Sequence, residues 1–190
     1  MGHMAPSVNL PGFDGLTSLP ALQHLHLVPP PVADALRGWS RADEVAVVEI
    51  DPDLADTAAL TEAYGLPLEA SANCVLISGS RGGEERIAAC VVTADTRADV
   101  NNAARKRLDV RKASFLPMDR AVEESGMEYG GITPVGLPAA WRVFVDAAVL
   151  AQPAAMIGSG YRRSKIILPG DALADLPGAE VVEGLGTPLG

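Results

Sequence analysis

Three glycines and two prolines fall within the nine residues Gly130 to Pro138, a stretch that no regular helix or central strand can cross. Glycine reaches backbone angles closed to other residues and lets a second group come close to the main chain. Pro134 and Pro138 fix φ and stiffen what the glycines bend. Glu128 to Pro138 therefore reads as a rigid, contorted loop with bare amides. On composition alone it is either a tight connection or a cradle for a small ligand.

The segments around the loop are short. Val45 to Ile50 is an apolar run with the length of a core strand. Thr57 to Tyr64 is rich in helix formers and stops at Gly65. Cys74–Ile77 and Arg86–Val92 read as a hairpin whose tip, Ser78 to Gly83, is long and flexible. That tip is glycine-rich but lacks the Lys-Ser/Thr ending and following helix of a phosphate loop. Thr96-Arg-Ala-Asp99 has the spacing of a helix start capped by its first residue, and Val100, Ala103, Ala104 and Leu108 continue on one face. After the apolar Ala113–Leu116, Pro117 opens a helix that stops at Gly126. Strands are expected at Trp141–Val145, Ala154–Ile157, Ser164–Leu168 and Val181–Val182, with a helix near Asp171 to Leu176. Short strands and hairpins interleaved with short helices predict an α+β fold on a mixed, largely antiparallel sheet.

The 190 residues suit one domain with an extension. Residues 1–4 look like an expression-tag remnant, and 5–42 are a Pro-, Leu- and Gly-rich amino-terminal extension. In it Pro29-Pro30-Pro31 is extended and a helix follows from Val32 to Trp39. The main domain spans 43–182, and 183–190 form a flexible tail. No apolar run approaches the roughly 18–20 residues that span a bilayer, and no charged-then-apolar leader is visible. A cytoplasmic protein without a membrane partner is the expectation.

The net charge of −9 argues against unspecific nucleic-acid binding by the whole surface. Eight of the fifteen basic residues are nevertheless grouped, as Arg105, Lys106, Arg107, Arg111, Lys112 and as Arg162, Arg163, Lys165. Each group is either a solvated element end or a contact for phosphate. Cys74 and Cys90 lie in apolar surroundings without CxxC spacing and read as buried free thiols rather than a disulfide or redox pair. His24 and His26 could share one face of a strand, but no further ligands complete a metal set.

From Asp53 to about Leu176 the chain resembles the YbaK family of free-standing aminoacyl-tRNA deacylases, relatives of the editing insertion of bacterial prolyl-tRNA synthetases. The match is carried by Thr57 to Gly65, Arg105 to Ser114, Gly126 to Pro138, Phe144-Val145-Asp146 and Gly158-Ser159-Gly160. Gly130-Gly-Ile-Thr-Pro134 fits the family's GxxxP element, followed by its Val-Gly-aliphatic-Pro. The resemblance implies a curved, partly barrel-like mixed sheet flanked by helices. It also implies hydrolysis of the ester between a wrong amino acid and the 3′-terminal adenosine of tRNA. A synthetase pocket rejects a small or isosteric amino acid by only about 10–200-fold, which makes such an activity necessary.

The implied chemistry uses backbone groups of the GxxxP loop and the substrate's ribose hydroxyl, with no cofactor and no metal. Gly131, Asn73 and Ser159 are the catalytic candidates it suggests. Asn73 stands where the family carries a lysine; it can orient a water or hydroxyl but brings no charge, and Lys112, Lys165 or Arg81 could supply one. Gly130, Ile132, Thr133, Pro134, Val135, Gly136, Gly158 and Gly160 would shape the pocket, with Lys112 and Lys165 also on the substrate. Asp146 either caps the next helix or orients the substrate ammonium. The implied partners are the acceptor end of an aminoacyl-tRNA and a synthetase. With the lysine replaced, a pocket that binds without hydrolysing is the alternative.

Overall fold

Alternation of apolar residues along the strands builds two sheets that enclose a common core. The computed structural model describes residues 10–189, so the tag remnant at 1–4 and the first residues of the extension lie outside the described residues. One sheet runs β1 (Leu19–Pro20), β2 (Ala46–Glu49), β9 (Ser164–Leu168), β8 (Ala155–Gly158), all antiparallel. The other runs β10 (Ala179–Val182), β7 (Arg142–Asp146), β4 (Glu84–Thr93), β3 (Ala72–Arg81), β6 (Ala113–Phe115). In it β10, β7 and β4 are parallel neighbours, while β3 pairs antiparallel with β4 and with β6. A parallel bridge between Ser71 and Met156 joins the two sheets. The architecture is mixed α+β, as the pattern of short elements predicts.

Side chains on a strand alternate between faces, and the core follows that rule. Ile166 and Leu168 of β9 enter the central cluster with Val143 and Val145 of β7, whereas Ile167 packs on the other face with Met156 and Leu60. Phe144, fully buried, points away from its neighbours on β7 into a third cluster with Val100, Ala104 and Leu108. Truncating such a phenylalanine to alanine costs about 3–5 kcal/mol. The last three residues lie on a π-helical turn (Val100–Ala104) continued by α3 (Arg105–Leu108), which covers this face.

Helices α2 (Thr57–Tyr64) and α4 (Met118–Ser125) end on left-handed Gly65 and Gly126, as their sequences suggest. Other expectations are revised. The hairpin tip is not a long loop: β3 and β4 stay paired to Arg81–Glu84, and Gly82 and Gly83, at φ 60° and 80°, close a two-residue turn. Thr96 is not a helix cap. It lies on β5 (Thr96–Ala98), and the Asp99 carboxylate accepts the Ala103 amide instead. His24 separates two 3-10 turns and His26 lies on the second, so neither is on a strand.

Both ends of the described residues belong to the packed body. From the extension, α1 (Pro30–Arg37) buries Val32, Ala33 and Leu36 in the central cluster beside Val145 and Ile166. Arg41 binds Glu44 and reaches Asp171 and Asp175 at 3.2 and 2.9 Å on the turn of Gly170–Asp175. Nor is 183–190 a loose tail over its described length. β11 (Gly186–Pro188) pairs with β5, and Leu185 is fully buried.

Candidate functional site

The loop that dominates the sequence is held by main chain against main chain. Glu128 N–H donates to Gly160 O at 2.8 Å, and Gly160 N–H donates to Gly131 O at 2.6 Å. Only glycines allow this approach. A Cβ on Gly131 would sit 2.7 Å from the carbonyl carbon of Tyr161, and one on Gly158 would sit 2.5 Å from Ile132 O. The extension braces the same assembly, since Pro29 fills the space beside Gly160 and Pro31 the space beside Gly136. Further along, Thr133 and Val135 are fully buried.

The loop divides two cavities. On one side Pro134, Val135 and Gly136 line an apolar cavity of about 330 Å³ with Trp39 and Trp141. On the other, Gly130, Ile132 and Gly158 line a larger one of about 710 Å³. Asn73, Asp53, Asp56, Lys165 and Arg162 open onto the larger cavity, and all its charged and amide groups converge from different elements. Asn73 and Gly158 lie two residues beyond the bridged pair Ser71 and Met156, and Gly158 pairs directly with Lys165 across β8 and β9. That topology brings Asn73 and Lys165 to one wall.

Polar groups there are unequally committed. Asn73 Oδ1 accepts the Thr57 hydroxyl at 2.7 Å. Gly131 N–H donates to Glu128 O at 3.0 Å, so this amide is not free for a substrate. The amides of Gly130 and Ile132, by contrast, make no hydrogen bond among the described residues. Lys165 is only 6% exposed, and its ammonium makes no hydrogen bond or ion pair among the described residues. Burial lowers its pKa from the ordinary lysine value, Asp56 opposing and Arg162 reinforcing the shift. Cys74 also lines the cavity, but burial pushes its thiol far up, away from the reactive thiolate. The two cysteines are free: Cys74 is registered with Val91 and Cys90 with Val75, which turns them to opposite faces.

Several sequence candidates lie away from this cavity. Ser159 is completely buried, its hydroxyl shared with Ser164 Oγ at 2.6 Å and accepting from Tyr161 N–H at 3.1 Å. It holds the glycine turn rather than a substrate. Changing Ser159 to Ala should therefore lower stability by about 1–3 kcal/mol and leave turnover within a few-fold, which denaturation and rate measurements on one preparation will separate. Asp146 spends both carboxylate oxygens on backbone, capping α5 (Ala147–Leu150) through Ala148 N–H at 3.0 Å and holding Gly186 N–H at 2.6 Å. Of its two sequence readings, the cap is the one this geometry fits. Lys112 is exposed and Arg81 is paired with Asp109, so neither lines the cavity. Gly160 packs against Pro29, outside the cavity wall.

What sequence reading missed were Thr57, Asp53, Asp56 and Arg162 as neighbours of Asn73. Only the Gly-Ser-Gly turn and the basic group after it hinted at their region.

The aminoacyl-tRNA editing domain family matches residues 51–176. No curated protein matches the chain in sequence. Among solved structures, hypothetical protein APE2540 superposes with a TM-score of 0.71 at 17% identity, over 83% of this chain and 99% of that one. A second, described as a candidate trans-editing enzyme for prolyl tRNA synthetase, gives 0.68 at 19% identity, over 87% and 96%. These likenesses extend the fold from the matched segment to most of the chain. The chain belongs to the aminoacyl-tRNA editing domain family.

Proposed function

We propose that the larger cavity removes a wrongly attached amino acid from tRNA by hydrolysing its ester to the 3′-terminal adenosine. The observation that carries this reading is a set of unspent donors on residues of one cavity wall: Gly130, Ile132 and Lys165 line it, and neither the two amides nor the ammonium has a partner among the described residues. Ester hydrolysis needs such donors where the carbonyl oxygen becomes an oxyanion. Water attacks the carbonyl carbon, the ester C–O bond breaks, and the ribose oxygen leaves with the proton relayed through the neighbouring ribose hydroxyl. Within the loop, the amides that serve are those of Gly130 and Ile132 rather than Gly131.

The cavity carries both signs of charge, which suits an aminoacyl ester. Asp53 and Asp56, whose carboxylate also caps α2 through Ala59 N–H at 3.4 Å, would meet the substrate's ammonium. Lys165 and Arg162 would meet the ester and the phosphate. A panel of tRNAs, each charged with a wrong amino acid, tests the reading by release of amino acid above the spontaneous rate. No release from any member overturns it. The second reading, a pocket that binds without hydrolysing, is favoured by the engagement of Asn73 with Thr57. It predicts binding of an uncleavable aminoacyl-adenosine by a protein with no turnover.

A further inference from the structure

The lip of the larger cavity carries groups that neither the fold nor hydrolysis uses. Phe115, Tyr129 and Met118 are 66%, 57% and 53% exposed, and all three line this cavity. They come from separate elements: the end of β6, the residue before Gly130, and the first turn of α4. Large apolar side chains left in water on three elements around one opening form a contact surface rather than scattered exposure.

Positive charge flanks that surface. The Arg162 backbone N–H donates to Glu128 Oε1 at 2.9 Å, but its guanidinium hydrogen-bonds only carbonyl oxygens, Tyr129 O at 3.4 Å and Pro52 O at 3.2 Å, and forms no ion pair among the described residues. On the other flank Arg111 and Lys112, just ahead of β6, are exposed and unpaired among the described residues. Of the other members of that basic group, Arg107 is engaged with Glu180 and Arg105 with Asn101 O, while Lys106 is exposed. Flat aromatic faces between unneutralised cations are what an unpaired nucleic-acid end requires: bases stack on the rings while phosphates meet Arg and Lys.

We infer that Phe115 and Tyr129 are stacking platforms for the unpaired 3′-terminal bases of an acylated RNA, with Arg162 on one side and Arg111 and Lys112 on the other holding its backbone. This rests on the deacylase reading for what enters the cavity, and adds how the RNA end is gripped. Since every base offers a π-face, the grip tolerates base sequence; selection among tRNAs falls to contacts outside the lip.

The test measures binding and hydrolysis separately, on the full chain. Binding of a labelled short single-stranded RNA ending in CCA is followed by fluorescence anisotropy. Phe115→Ala and Tyr129→Ala should each weaken it by about 5–100-fold, Phe115→Trp should keep it, and Phe115→Leu should behave like alanine. Arg111→Gln with Lys112→Gln should flatten its salt dependence. In deacylation the loss from Phe115→Ala should fall on KM rather than kcat. If Leu binds RNA as well as Phe, the lip is an apolar docking surface for protein and the inference fails. If the unmodified protein deacylates but the alanine variants change neither RNA binding nor KM, the inference fails alone. If RNA binding depends on the rings but no charged tRNA is hydrolysed, the inference stands and the deacylase reading falls. No RNA binding by the unmodified protein overturns the inference.

Discussion

Replacing Lys165 by methionine is expected to lower kcat/KM for deacylation by about 100-fold or more while making the protein more stable. The two effects have one cause. Lys165 carries its charge in a nearly dry wall with no carboxylate bound to it, and an ammonium held this way opposes folding. Methionine fills similar space without that cost, so unfolding free energy should rise by about 1 kcal/mol or more. The pH dependence fixes the sign. A lysine whose folded pKa lies below its unfolded value binds more protons when unfolded, so stability rises as pH climbs from the lowered value toward 10.5. Denaturant unfolding at neutral and alkaline pH should show this rise in the natural protein and not in Lys165→Met. A structural role for the lysine would make the variant less stable. Placing the charge on the same wall by Asn73→Lys in the Lys165→Met background should return at least a tenth of the lost activity. No recovery would mean that position, not charge, is what the site needs.

Gly131→Val should abolish measurable turnover, a loss of at least about 100-fold, and leave a cooperatively folding protein. Its Cβ would meet both the carbonyl carbon and oxygen of Tyr161 at 2.7 Å. These are backbone atoms, so no side-chain rotation relieves the contact. The loop must lift from the Gly158-Ser159-Gly160 turn, taking the Gly130 and Ile132 amides with it, and a displacement of about 1 Å is enough to cost 100-fold in rate. The clusters around Phe144 and around Ile167 contain no residue of the loop and persist. Gly15→Ala is the control, because nothing lies within 4 Å of its added Cβ and its φ is ordinary. Comparable activity for the two variants would mean that the loop can move without consequence.

Local signals were legible in the sequence wherever one residue decides the conformation. Gly65 and Gly126 end their helices, and the density of glycine and proline marks the loop. Apolar runs located β7, β8 and β9 within a residue or two. Beyond the β3–β4 hairpin, which edges meet was not legible, since alternation identifies faces and says nothing of neighbours. The parallel contacts of β7 with β4 and β10 join segments far apart in the chain. The same gap explains the site. Lys165 looked like one of a basic trio and turned out to be its buried member, because β9 pairs it with Gly158. Ser159 and Asp146 looked available because their partners, Ser164, Tyr161 and Gly186, could be assigned only with the turn and the carboxyl end in place.

The contacts of Pro29 with Gly160 and of Pro31 with Gly136 also tie the cavity to a part of the chain outside the segment that the family matches. Every residue that lines the larger cavity lies within 51–176, but the prolines against which its loop is set do not. A chain trimmed to the matched segment would keep the whole lining and lose the brace behind it.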